Sequence, residues 1–118
     1  MKRIETIENK IKESIKFCLS YGFYLESCEL IYIDHCCPLG AVFVQEKIKT
    51  VQSIIPSENN YTNYSYLEGA KILGLIWCET KSFIYGYDNS YSLFREFQYK
   101  YYELGTKIHK EFPPKSKL

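Results

Sequence analysis

Ile4-Glu5-Thr6-Ile7-Glu8-Asn9-Lys10-Ile11-Lys12-Glu13-Ser14-Ile15-Lys16-Phe17-Cys18-Leu19 decides the fold class of this chain. Ile4, Ile7, Ile11, Ile15, Cys18 and Leu19 recur at steps of three and four with Glu, Lys and Asn between them, which is one face of an amphipathic helix. Gly22 is its natural stop, and Phe23 is placed to fold back on the last turn.

Working outward, the pattern shortens after Phe23. Tyr24 and Leu25 precede a polar Glu26-Ser27, and Leu30-Ile31-Tyr32-Ile33 is β-prone, leaving room for one short β-hairpin near residues 24 to 33. Pro38 then opens a short helix to about Lys47 or forms the corner of a turn, and Asp34 to Cys37 offers an imperfect cap for it. Residues 49 to 65 are rich in Ser, Asn and Thr around Pro56 without helical period, a long loop of the kind that often makes contacts.

Ser65 and Glu68 form a capping-box pattern for a helix that Gly74 ends. A second short helix is expected from about Trp77 to Tyr85, stopped by Gly86. Asp88-Asn89-Ser90 then caps a long final helix bearing Leu93, Phe94, Phe97, Tyr101, Leu104 and Ile108, closed by Pro113-Pro114. Gly105 inside that helix costs about 1 kcal/mol relative to Ala, which implies that another helix crosses closely there. The expected fold is therefore mainly α: a compact helical domain over residues 1–112 with long N- and C-terminal helices packed together, and a frayed tail over 113–118.

Composition narrows the function classes. Hydrophobic residues make up 46% and charged residues 25%, the balance of an ordered globular domain rather than a disordered chain. Fifteen Lys plus Arg against fourteen Asp plus Glu leave +1, so no global field recruits nucleic acid or an anionic membrane. The apolar run of a signal peptide is broken by Glu5, Glu8, Lys10, Lys12 and Glu13, and no stretch approaches a membrane span, so a cytoplasmic protein with free thiols is expected. The five cysteines are an odd number, consistent with a reducing compartment.

Asp34-His35-Cys36-Cys37, with Cys28 upstream, is the densest group of reactive side chains. His35, Cys36 and Cys37 are the candidate ligand-binding or thiol residues, with His109 the other imidazole. Adjacent cysteines point apart in most backbone conformations, whereas zinc takes spaced pairs, so no metal and no other cofactor is expected. A buried Cys-Cys-Pro corner packing the first helix explains the same residues without chemistry.

Residues 66 to 86 have the order of a helix-turn-helix, which would turn Glu79-Thr80-Lys81-Ser82 and Tyr85 toward DNA. Lys81 is the lone cation there and Glu79 opposes it, a poor phosphate-binding surface. Tyr85, Tyr87, Tyr91, Phe94, Phe97, Tyr99, Tyr101 and Tyr102 cover more than one side of the last two helical segments, which is more than a core of this size requires. Tyr61 and Tyr64 in the long loop, with Tyr99 and Tyr102 near the end, are the candidate interface residues.

Cys37-Pro38-Leu39-Gly40-Ala41, Ala70 to Leu75 with its Leu-Gly-Leu, Phe83-Ile84-Tyr85-Gly86-Tyr87-Asp88-Asn89 and Tyr102-Glu103-Leu104-Gly105 together resemble a group of small uncharacterised bacterial proteins. The resemblance implies a shared fold and no assigned activity. The expectation is a non-catalytic protein-interaction or regulatory module, acting on a protein partner or as a homo-oligomer. A small-ligand or thiol-dependent site at His35, Cys36 and Cys37 stands second, and DNA binding third.

Overall fold

A computed structural model describes residues 3–26, 35–51, 65–90 and 97–114. In chain order these form α1 (Arg3–Ser20), β1 (Tyr24–Leu25), β2 (His35–Cys36), α2 (Pro38–Val51), α3 (Ser65–Leu73), α4 (Trp77–Tyr87) and α5 (Tyr99–Glu111). The fold is mainly α, as the periodicity predicts. Among the described residues, no helix is long and apolar enough to cross a membrane.

α1 buries Ile7, Ile11, Ser14, Ile15 and Cys18. Ile4 packs at the edge of the core, but Leu19, assigned to the same stripe, faces out because the buried face has rotated past it by the last turn. The helix closes as expected. Gly22 adopts a positive φ, its N–H donates to the Leu19 carbonyl at 3.2 Å, and the Phe23 N–H reaches the Cys18 carbonyl at 3.1 Å. That pair of bonds is a Schellman motif, and it turns Phe23 into the core at 1% exposure.

Tyr24 and Leu25 pair with His35 and Cys36, and the pairing is parallel. The β-hairpin anticipated near residues 24 to 33 is therefore not the pairing that β1 makes, since a hairpin joins antiparallel strands. The partner of β1 is the short segment that leads into α2. The β-prone Leu30 to Ile33 lies outside the described residues.

α2 is the central helix, longer than the ten residues expected of it. From Pro38 to Gln45 it is buried almost all round, with α1 on one side and α3 on the other. Gln45 sits inside with its amide satisfied: Ser14 Oγ donates to Oε1 at 2.6 Å, Lys10 Nζ donates to the same oxygen at 3.1 Å, and Nε2 donates to Glu13 at 3.3 Å. α3 crosses α2 at Gly69, where a Cβ would run into the Leu39 carbonyl.

α3 ends at Gly74 in a second Schellman motif, with the Leu75 N–H on the Ala70 carbonyl at 2.9 Å. α4 then runs through Gly86 to Tyr87. Gly86 is not the stop expected of it, because it serves a close approach to α5 instead. A Cβ on Gly86 would strike the Tyr102 carbonyl, and one on Gly105 would strike the Phe83 carbonyl, so the two helices cross backbone to backbone. The crossing predicted at Gly105 is thus present.

The true stop of α4 is Asn89, at a φ of 55°, with the Ser90 N–H on the Tyr85 carbonyl at 3.0 Å. Asp88-Asn89-Ser90 therefore closes α4 rather than capping α5. The last helix begins only at Tyr99, so Phe97 precedes it, while Leu93 and Phe94 lie outside the described residues. It ends at Glu111, two residues before the prolines, as predicted.

One core unites these parts. Ile7, Ile11 and Ile15 of α1 join Leu39, Ala41, Val42 and Val44 of α2, Ala70 of α3, Phe83 and Tyr87 of α4, and Leu104 and Ile108 of α5. α1 and α5 share this core but are not packed against each other as expected, since α1 lies against α2 and α5 against α4; across their border Glu8 meets Lys107 at 2.8 Å and Lys12 meets Glu111 at 2.8 Å.

Candidate functional site

Cys36 ends the β1–β2 pair and Cys37 precedes α2, and both thiols are buried, at 6% and 7% exposure. Each has a structural partner. The Cys37 carbonyl accepts the first intrahelical bond from Ala41 at 2.9 Å, and its sulfur accepts the Gly40 N–H at 3.4 Å. Cys37 is thus the N-cap of α2: with Pro38 at the first helical position, the thiol occupies the place a serine hydroxyl would take. Within the imperfect cap expected of Asp34 to Cys37, the capping group is the cysteine at its end.

Cys18 on α1 donates to the Ala41 carbonyl at 3.4 Å. Cys36 hydrogen-bonds to Cys18, and that bond together with full burial holds the Cys36 thiol well above the ordinary thiol range. A nucleophilic or metal-binding cysteine requires the opposite shift. Of His35 the described part is its backbone in β2.

His109 is committed to a different place, the end of α4. Its Nδ1 lies 2.6 Å from the Tyr87 carbonyl and its Nε2 3.3 Å from the Asn89 amide nitrogen. A carbonyl only accepts, so Nδ1 carries a proton toward Tyr87, and the Asn89 amide beside Nε2 helps to fix the orientation of the ring. Among the described residues, no three His, Cys, Asp or Glu side chains converge in a way that would hold a metal ion.

The α3–α4 pair, read from sequence as a helix-turn-helix, packs outward from its own turn: α3 lies against α2 and α4 against α5. Of the stretch expected to face DNA, Thr80 and Ser82 are buried at 2% and 0%. Ser82 Oγ donates to the Cys78 carbonyl at 2.7 Å and accepts the Gln98 N–H at 2.8 Å. Glu79 binds Arg3 at 3.0 Å and accepts the Ile76 N–H at 3.0 Å. Lys81 lies over the rings of Trp77 and Tyr85, at 5.7 and 5.8 Å from their centroids.

The surface aromatics are a different matter. Tyr99, at 63% exposure, is the most open of the large hydrophobic side chains described. Its ring is near-parallel to Tyr102, with centroids 6.4 Å apart, and Phe97 sits 5.3 Å from Tyr102. Beside them is a groove of about 260 Å³ lined by Tyr99, Tyr102, Glu103, Thr106, Lys107 and Lys110. Tyr99 and Tyr102 are therefore brought together as one patch, while Tyr61 and Tyr64 lie outside the described residues. Tyr101, one position away, turns inward to 7% exposure and accepts a hydrogen bond from Arg3 at 2.7 Å.

Sequence reasoning missed a second exposed cluster at the α3–α4 corner. Ile72, Ile76 and Trp77 stand 45%, 59% and 57% exposed next to a groove of about 320 Å³ lined by Leu67, Glu68, Ala70, Lys71, Leu75, Trp77 and Thr80. The signal was present in Leu-Gly-Leu-Ile-Trp, where five residues around a turn glycine include four large apolar side chains that a tight turn cannot bury together. Comparison with protein-family models, curated proteins and solved structures gives no match.

Proposed function

We propose that this chain is a non-catalytic protein-interaction module whose contact surface is the Phe97–Tyr99–Tyr102 patch at the start of α5. One observation carries the reading: a tyrosine 63% exposed, stacked on a second tyrosine, at the mouth of a groove. Tyrosine presents a rigid apolar face and a polar tip, which suits a contact that must be stable when bound and soluble when free. Lys107 on the groove rim is paired with Glu8, so Lys110 is the cation there that Glu8 does not hold and the position that would take an acidic side chain of a partner. The burial of both thiols, the commitment of Cys37 to capping α2 and the raised pKa of Cys36 support placing function here rather than at Cys36 and Cys37.

The test is affinity capture with the purified chain followed by native mass measurement of what is bound, repeated with Tyr99→Ala and Lys110→Glu. Both positions are exposed, so folding is expected to be unchanged. The expected result is a bound protein lost with either variant; equal capture by all three chains sinks the assignment of this surface.

A further inference from the structure

We propose that the α3–α4 corner is a self-association surface, on which a second copy of this chain docks about a two-fold axis. The proposal stands apart from the α5 patch and uses none of its residues. A two-fold interface places the same patch of both copies face to face, so projection and recess must lie side by side on one surface. That is the arrangement here. Ile76 and Trp77 project at 59% and 57% exposure, and the adjoining groove of about 320 Å³ has Leu67, Ala70 and Leu75 in its wall.

The charges on the rim select the occupant. Glu68 and Lys71 pair with each other at 3.4 Å one turn apart on α3, and at 48% and 76% exposure both stay open to a partner, one charge of each sign, so that docking would exchange two pairs within copies for two pairs between them. If two α3 helices meet antiparallel across the axis, Glu68 of each copy comes opposite Lys71 of the other, so the rim is complementary to itself. A partner bearing one dominant sign of charge would meet a like charge at one of the two positions. The corner is also held in shape before docking. Arg3 bonds the Gly74 carbonyl and both Glu79 oxygens, and Glu79 in turn caps α4, so little ordering is left for association to cost.

Sedimentation velocity over a range of protein concentration tests this on the full chain. Wild type is expected to show a reversible monomer–dimer equilibrium, and Ile76→Lys to remain monomeric with an unchanged circular dichroism spectrum. Glu68→Lys gives a rim of two positive charges and Lys71→Glu a rim of two negative charges. Each alone is expected to weaken dimerisation on the order of tenfold, because like charges then face like charges. Mixed in equal amounts, the two single variants are expected to pair with each other and recover the wild-type affinity. That recovery cannot arise from any effect inside one chain. Tyr99→Ala is expected to leave the dimer intact, so failure of the α5 reading and failure of this one are seen separately. A wild type that is monomeric at every concentration, a dimer indifferent to the single reversals, or a mixture that fails to recover overturns the proposal.

Discussion

Two glycines show how far a single residue's role depends on what approaches it. Replacing a glycine inside a helix by alanine ordinarily stabilises by about 1 kcal/mol, because the unfolded chain loses freedom. At Gly86 and Gly105 the sign reverses, since the added methyl would strike the carbonyl of Tyr102 or of Phe83, and those are backbone atoms of a neighbouring helix that cannot swing aside. Gly86→Ala and Gly105→Ala are each expected to destabilise the fold by about 1–3 kcal/mol, read as a lower urea midpoint. Gly74, whose Cβ position is open but whose φ is +73°, behaves differently. There alanine is strained by its backbone conformation rather than by a neighbour, at a cost on the order of 1 kcal/mol. A gain in stability from alanine at Gly105 would mean that α4 and α5 do not meet at this point.

At the scale of elements, the N-terminal turn of α1 is fastened to α4 and α5 by one arginine. Arg3 spans Glu79, Tyr101 and the Gly74 carbonyl, and the ion pair gives this link a pH dependence of known sign. Burial pushes the Glu79 carboxyl up, but the Arg3 hydrogen bonds and the Ile76 N–H together outweigh it and leave it below the ordinary glutamate value. A depressed folded pKa means that its stabilisation is complete above the unfolded value of about 4.3 and is lost as pH falls through the lower folded value. Glu79→Gln is therefore expected to be less stable than wild type at neutral pH, by on the order of 1 kcal/mol. The gap should close in acid, and urea titrations at a series of pH values would show it; a gap that stays constant with pH would dissociate Glu79 from the effect. The positions of α1, α3 and the last two turns of α5 were legible in the sequence because their apolar residues keep a helical step over several turns and meet a glycine or proline at the end. The start of α5 was not legible, because Leu93, Phe94 and Phe97 continue the step of Tyr101 and Leu104 in sequence while the helix itself begins at Tyr99. Nor was the length of α2, whose near-continuous apolar run from Leu39 to Val44 has no period to read when a helix is buried on all sides.

Across the whole molecule, the candidate thiols and the core turn out to be the same set of residues, which the sequence could not separate because Cys-Cys-Pro suits a reactive site and a capped, buried helix start equally well. Cys18, Cys36, Cys37 and Cys78 are all buried, and three of them sit where α1, β2 and α2 meet at the centre of the fold. Reaching them requires parting helices that share one core, so their reactivity should report the opening of the molecule rather than chemistry of a site. In a background with Cys28→Ser and Cys78→Ser, which leaves only the three thiols of the shared core, modification by a thiol reagent is expected to be at least about a thousandfold slower in native buffer than in denaturant. Its rate should rise with urea with the slope of global unfolding, because each thiol is exposed only when the shared core opens. Weakening the core elsewhere, as Gly105→Ala does from the far end of the α4–α5 crossing, should accelerate labelling of Cys36 and Cys37 by the factor that the stability loss dictates, about tenfold for each 1.4 kcal/mol. A fast-labelling Cys36 or Cys37 in native buffer, indifferent to urea and to Gly105→Ala, would instead mark a thiol with its own path to solvent and return function to the Cys-Cys-Pro corner.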